Sequence, residues 1–203
     1  MRIIVVALLG LSSFARADGF ASFELAAGGH LPVGTSAWKA ASPGSLAVLG
    51  AVAWHFDEHF GLLGSAEALH PLGLTSPSGT YELSITRLRF LAQAFYEQEI
   101  VQHLTLAARL GVGLDDMFVS WDMPMNGYAS YRSEQISALA LEPAAGLWWD
   151  AGIGLQVGGD VMIPISTPRD SQIVGTQRAG VSASFSTYEI AVLLGIRVTS
   201  KRD

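Results

Sequence analysis

Between Ser137 and Ile163 large apolar residues hold the odd positions: Leu139, Leu141, Leu147, Trp149, Ile153, Leu155, Val157, Val161 and Ile163. The even positions hold Ala138, Ala140, Glu142, Ala144, Gly146, Trp148, Gly154, Gln156, Gly158, Asp160 and Met162. A period of two predicts β-strands with one apolar face. The parity does not change across Asp150-Ala151-Gly152, and directly opposed residues of a hairpin share a face. The spacing therefore predicts a loop of about three residues with Gly152 left-handed. That register pairs Trp149 with Ile153 and Glu142 with Asp160.

The alternation recurs along the chain. A first strand runs from about Gly19 to His30, with Phe23, Leu25 and Ala27 opposite Ser22, Glu24 and Ala26. After a Pro-, Gly- and Ser-rich loop, Leu46, Val48, Val52, Trp54 and Phe56 mark a second strand. A tight turn at Asp57-Glu58-His59 leads to a third from Phe60, with Glu67 on its other face, fading at Pro71. The fourth sets Leu88, Phe90, Ala92, Ala94 and Tyr96 against Arg87, Arg89 and Gln93. The fifth sets Leu104, Leu106, Leu110, Val112 and Leu114 against Thr105, Ala107, Arg109 and Gly111. A long loop is expected from about 115 to 135, and another from 164 to 178. The last strand places Tyr188, Ile190, Val192, Leu194, Ile196 and Val198 against Glu189 and Arg197. Its start, Val181, Ala183 and Phe185, has the opposite parity, so a β-bulge is expected near Ser186-Thr187.

Eight strands with alternating long and short connections predict an all-β, eight-stranded antiparallel up-and-down transmembrane β-barrel, since such barrels have short turns on one side and long loops on the other. Composition agrees with lipid outside. Half of the residues are hydrophobic and 15% charged, with Lys only at 39 and 201. A water-soluble barrel needs charges around its whole wall. Met1-Arg2, the apolar run from Ile3 to Leu11 and the Ala15-Arg16-Ala17 site read as a signal peptide over residues 1–17, which leaves 18–203 as the barrel domain. The net charge of −6 gives no basic patch for nucleic acid.

The aromatic-bracketed turn AWHFDEHFGL (Ala53 to Leu62), the segment LTLAARLGVGL (Leu104 to Leu114) and the hairpin AAGLWWDAGIGLQVGGDV (Ala144 to Val161) resemble the small outer-membrane β-barrels of the OmpA and OmpX type. The resemblance spans nearly all of residues 18–203. It implies outer-membrane lipid and the barrel-assembly machinery as partners, a monomer, and outer-membrane residence after export. Members often finish on an aromatic residue. This chain departs from that by running past Val198 into Thr199-Ser200-Lys201-Arg202-Asp203.

With the apolar face outward, Glu24, Glu67, Glu142, Asp160 and Glu189 share the interior with Arg87, Arg89, Arg109 and Arg197. Buried charges must be paired, and an eight-stranded lumen is only wide enough for side chains to fill it. A lumenal network that leaves the barrel plugged is therefore expected, with Arg109 bridging Glu142 and Asp160. No cofactor, metal or catalytic set is expected. His55 and His59 around Asp57-Glu58 read as a solvated turn rather than a metal site, and His30 and His70 as side chains at the membrane interface. Ser182, Ser184 and Ser186 have no His in their own segment. In the long loop Phe118, Trp121, Met123, Met125, Tyr128 and Tyr131 are candidates for contact with an extracellular or envelope protein. The expected role is a non-enzymatic membrane protein presenting loops for structure, adhesion or an envelope complex. Two alternatives are a lipid-modifying outer-membrane hydrolase and a periplasmic lipocalin-like barrel, in which the faces would be inverted.

Overall fold

Residues 19–33, 43–72, 82–125, 128–171 and 183–200 are described by the computed structural model of the chain. The strands are β1 (Phe20–Pro32), β2 (Gly44–His55), β3 (Phe60–Leu72), β4 (Glu82–Val101), β5 (Leu104–Met125), β6 (Tyr128–Asp150), β7 (Leu155–Met162), β8 (Ile165–Ser166), β9 (Arg169–Ser171), β10 (Ala183–Phe185) and β11 (Glu189–Thr199). Antiparallel pairing runs β5-β4-β3-β2-β1-β11-β7-β6, and β6 also pairs with β5, which closes the ring. Strands β8 and β9 carry on from β7 past two breaks, and β10, paired with β9, leads through a break into β11. The result is a closed eight-stranded antiparallel barrel. Among the described residues, closure leaves no barrel strand at an unpaired edge.

The breaks have a sequence cause. Pro164 and Pro168 stand in the two gaps of the seventh strand, and proline has no N–H to give to a ladder. Neighbours of these prolines keep bonding: Ile163 N donates to Pro143 O at 2.9 Å and Thr167 N to Leu139 O at 2.9 Å. In the eighth strand a break at Ser186-Thr187 replaces the expected bulge. The one-residue mismatch is nonetheless there, because Ile165 to Arg169 is four positions while their partners, Tyr188 to Phe185, are three apart.

Three expectations are corrected. First, residues 115–125 and 128–135 are not loop but the outer parts of β5 and β6, paired without interruption from Leu104↔Trp149 to Met125↔Tyr128. The period of two continues through Asp115, Met117 and Val119, which are buried, and Leu114 and Phe118, which are exposed. Second, the spacing predicts a turn from Glu97 to His103, but β4 continues to Val101 and the turn is only Gln102-His103. Third, the β6–β7 turn spans Ala151 to Gly154. Gly152, Ile153 and Gly154 all have left-handed φ of 82, 53 and 76°, and Gly152 N donates to Asp150 Oδ1 at 2.8 Å. With Gly154 also left-handed the ladder resumes later, and Trp149 faces Val157 rather than Ile153. Parity survives this four-residue shift, so the faces stay as expected while the opposed pairs change.

The outer face is apolar. Phe23, Leu25, Val48, Leu62, Phe90, Leu110, Val112, Leu139, Leu147, Val161, Val192 and Leu194 are exposed there. At the short-turn end Phe56, Phe60, Tyr96 and Trp149 are exposed too, with the Phe60 and Tyr96 rings 5.0 Å apart. The lipocalin-like alternative required the reverse polarity. Inside, Ala26, Ala47, Leu49, Ala51, Ala53, Leu63, Leu69, Phe95, Met162, Ala191 and Leu193 pack together against the β1–β3 side.

The turn between β2 and β3 is tied by Asp57, whose Oδ1 accepts from His59 N and Phe60 N, each at 2.7 Å. Those two N–H groups hold its carboxyl below the ordinary value of 3.8. A lowered folded-state value means the tie is present above the unfolded value and is lost as pH falls through the folded one. Protection of the His59 and Phe60 amides, taken relative to their intrinsic exchange rates, is therefore expected to fall on acidification below 3.8, and to be low at every pH in Asp57→Ala. Protection that does not change with pH would remove Asp57 from the turn.

Candidate functional site

The inward positions of the strands bring charge together in two layers. In the layer nearer the long connections, Arg87 grips Asp115 with two bonds, Nε to Oδ1 at 3.0 Å and Nη2 to Oδ2 at 2.6 Å. Its Nη1 donates to Glu189 Oε1 at 2.7 Å. Arg89 is shared among three acids: Glu67 at 2.9 Å, Glu142 at 3.0 Å and Glu189 at 3.2 Å. Paired, two-point contacts of this kind fit the planar guanidinium better than lysine's ammonium. Both arginines lie on odd positions of β4, two residues apart, so strand geometry alone points them the same way.

His30 joins this layer. It was expected at the membrane interface, but its side chain is fully buried, with Nδ1 3.1 Å from Glu189 Oε2 and Nε2 2.8 Å from Glu67 Oε1. Carboxylates only accept, so both contacts are hydrogen bonds when each ring nitrogen carries a proton. His70, in contrast, is exposed on the outer face.

Arg169 also reaches in, giving Nη2 to Asp115 Oδ2 at 2.9 Å and to Ser166 Oγ at 3.0 Å. Ser166 Oγ in turn meets Thr187 Oγ1 and accepts from Thr187 N at 3.0 Å. These contacts stitch the two broken strands together at the place where prolines and the register mismatch remove ladder bonds.

The second layer lies toward the short turns. Glu24 receives Arg109 Nη2 at 2.8 Å and Arg197 Nη2 at 3.2 Å on Oε2. Arg109 Nη1 reaches Asp160 at 3.2 Å, and Arg197 Nη1 reaches Glu97 at 2.6 Å. The fully buried indole of Trp148 lies beside both arginines, with Arg197 Cζ 4.2 Å and Arg109 Cζ 5.7 Å from its ring centre. Its Nε1 donates to Asp160 Oδ1 at 3.3 Å. Gly146 makes room for that carboxylate, since a Cβ there would lie 1.9 Å from Asp160 Oδ1. Trp148→Phe keeps the fill but removes the donor and weakens the cation–π faces. A loss of about 1–2 kcal/mol is expected as a lower urea midpoint; an unchanged midpoint would mean that the indole acts only as filler.

The structure separates Glu142 from Asp160. Because the hairpin register is four residues later, Asp160 lies opposite Gly146, and Glu142 lies beyond the ladder, across from Gly111 of β5. Glu142 belongs to Arg89 and Asp160 to Arg109. Arg109 thus bridges Glu24 and Asp160, not the two acids expected. The nine charged residues read from the pattern are all buried.

Sequence reasoning missed Glu97, Asp115, His30, Trp148 and Arg169. The first two were assigned to loops, although the odd parity of β4 and β5 already placed them inside.

At the short-turn mouth a vestibule of about 960 Å³ opens, lined by His55, Asp57, Glu58, His59, Glu97, Glu99, His103 and Asp150 among others. His55 is not part of a solvated turn. Its ring is buried, stacks on Phe20 at 4.1 Å and bonds Ser22 Oγ at 3.0 Å. Among the described residues no three His, Asp or Glu side chains converge as metal ligands. Of the candidate contact residues, Phe118 is exposed on the outer face of β5. The side chains of Trp121, Met123, Met125, Tyr128 and Tyr131 lie outside the described residues, as do those of Ser182 and Ser184.

No protein-family model matches the sequence, and no curated protein matches it. Solved structures do share the fold. The outer membrane protein OprG from Pseudomonas aeruginosa superposes with a TM-score of 0.55 at 10% identity, over 92% of this chain and 97% of that one. Neisserial surface protein A gives 0.52 at 9% identity, over 89% and 96%. Ail, the attachment invasion locus protein of Yersinia pestis, solved in complex with the heparin analogue sucrose octasulfate, gives 0.51 at 13% identity, over 90% and 97%. At such identities the likeness concerns architecture alone, and it agrees with the closed ring described above. The chain has the fold of the small eight-stranded outer-membrane β-barrels.

Proposed function

We propose that the protein is an integral outer-membrane barrel, exported by residues 1–17, that anchors and presents the projecting β5–β6 hairpin to the outside. The observation that carries this reading is the polarity of the wall. The outward apolar run from Leu88 to Tyr96 on β4 and from Leu139 to Trp149 on β6 gives a band roughly 23–28 Å tall, at ~3.3 Å per residue and a tilt near ~40°. That height matches the hydrocarbon layer crossed by barrels of this kind. Paired ions fill the inside, so the lumen is closed to passive flow of solutes. In this reading the protein is a non-enzymatic monomer, inserted by the barrel-assembly machinery.

The hairpin beyond Leu114 and Leu139 supplies the presented surface, with Phe118 at its base, and its role is contact with an extracellular or envelope partner. Ail's heparin analogue is a polyanion, and a net charge of −6 does not favour such a ligand for this chain.

Gel mobility tests the proposal. The membrane-extracted protein in SDS is expected to run faster unboiled than boiled, because a closed barrel stays compact. Recovery in the soluble periplasmic fraction with no heat shift would sink the reading.

A further inference from the structure

The two ionic layers differ in balance. Nearer the long connections, Glu67, Asp115, Glu142 and Glu189 stand against Arg87, Arg89, Arg169 and His30, whose ring nitrogens both face carboxylates. That layer is neutral once His30 is protonated. Toward the short turns, Glu24, Glu97 and Asp160 share only Arg109 and Arg197. All five residues are more than nine-tenths buried, and buried charge must be compensated. The described Arg side chains are all used in these contacts, so the second layer lacks one positive charge.

This layer reaches the vestibule of about 960 Å³ at the short-turn mouth, because Glu97 and Gln156 belong to both. The volume is that of a small-molecule site. Five carboxylates line it, those of Asp57, Glu58, Glu97, Glu99 and Asp150, and no Lys or Arg does. Two of the lining side chains are more than nine-tenths buried and keep an open polar atom among the described residues. Glu97 spends Oε1 on Arg197, which leaves Oε2. His55 spends Nε2 on Ser22 Oγ, which leaves Nδ1; with the ring proton on Nε2 this atom accepts. Everything open on this wall calls for a positive donor.

The spread of the acids decides which cation fits. A divalent metal needs several oxygens around one point, and among the described residues no three His, Asp or Glu side chains converge in that way. Carboxylates distributed around a wall suit a chain with ammonium groups along its length. Asp57, Glu99 and Asp150 are each held at one oxygen by turn N–H groups at 2.7–2.8 Å, so the wall is set before a ligand arrives. Half-buried Phe20, stacked on His55, offers an apolar surface to methylene spacers.

We infer that the short-turn vestibule binds a linear aliphatic polyamine, one of whose ammonium groups meets Glu97 and supplies the charge missing from the inner layer, while the others meet the carboxylates of the turns. Calorimetric titration with spermidine of the barrel in a non-ionic detergent at low salt tests this. Saturable binding is expected, with a urea midpoint that rises with spermidine concentration, as for any ligand of the folded state alone. Glu97→Gln leaves two acids to two bases and is expected to weaken binding about tenfold. Glu58→Gln changes an exposed side chain and is expected to weaken it about two- to fivefold, the worth of one surface ion contact. The heat-shifted gel band reports that each variant is folded. Absence of saturable binding would overturn the inference, as would undiminished binding in both variants. An equal midpoint rise with magnesium at the same concentration of positive charge would also overturn it, by reducing the effect to general screening. So would tighter spermidine binding after removal of residues 201–203, which would give the site to the chain's own Lys201 and Arg202.

Discussion

Arg89→Met is expected to lower the unfolding free energy of the barrel by about 3–5 kcal/mol, the usual cost of removing one partner from a buried ion cluster. Three carboxylates depend on this one side chain, and all are buried with it. Glu189 keeps Arg87 and His30, and Glu67 keeps His30, but Glu142 would lose its one donor among the described residues. The variant is isosteric enough to fill the space, so packing changes little. Arg89→Lys is expected to fall between wild type and Arg89→Met, because an ammonium carries the charge but cannot reach three acids with one planar fork. Urea titrations read by the heat-shifted gel band measure all three proteins. A midpoint for Arg89→Met equal to wild type would mean that the carboxylates are solvated and that the lumen is not sealed by this layer.

Much of that layer is legible in the sequence. Period-two alternation is a local property of strand geometry, so it places Glu67, Arg87, Arg89 and Glu189 inside without any knowledge of neighbours. Who meets whom is a different matter. Register depends on the turn, and the β6–β7 turn depends on Ile153, a β-branched residue with a φ of 53° that ordinary residue preferences argue against. That one unforeseen conformation moves Asp160 from Glu142 to Gly146. Contacts across the lumen are still less legible: Glu24 and Arg109 lie on strands that are not neighbours, and only the closed ring brings them to 2.8 Å.

Loop-like composition misled elsewhere. Asp115-Asp116 and the Ser-, Pro- and Asp-rich stretch from Ser120 to Pro124 suggest a loop, yet β4 and β6 flank this segment and their ladders extend it as strand. Tertiary pairing overrides weak local preference. His30 shows the same effect in a side chain: a lone histidine near a strand end reads as an interface residue, until Glu67 and Glu189 from two other strands are seen on either side of it.

Leu110→Arg is expected to cost about 2–4 kcal/mol in lipid bilayers, whereas Leu106→Arg, four residues nearer the short-turn mouth, is expected to cost only about 0–1 kcal/mol. Both residues sit on the outward face of β5, 55% and 43% exposed, so neither substitution disturbs the lumen. Leu110 pairs with Ala94 and Pro143, midway along the apolar band, while Leu106 pairs with Gln98 and Leu147 at its lower part. The difference between the two sites is therefore depth, not packing. An arginine at midplane must bring its charge out of water, and one near the boundary can extend its head into the headgroups. Urea unfolding of the two variants, folded into vesicles, separates lipid from water as the solvent of this wall. Equal and near-zero costs at the two positions are what a water-exposed barrel would give, since surface substitutions there usually stay within about 0.5 kcal/mol. A cost that rises from Leu106 to Leu110 locates the midplane on β5 and makes the apolar wall, rather than the ionic interior, the part of the molecule that its surroundings select.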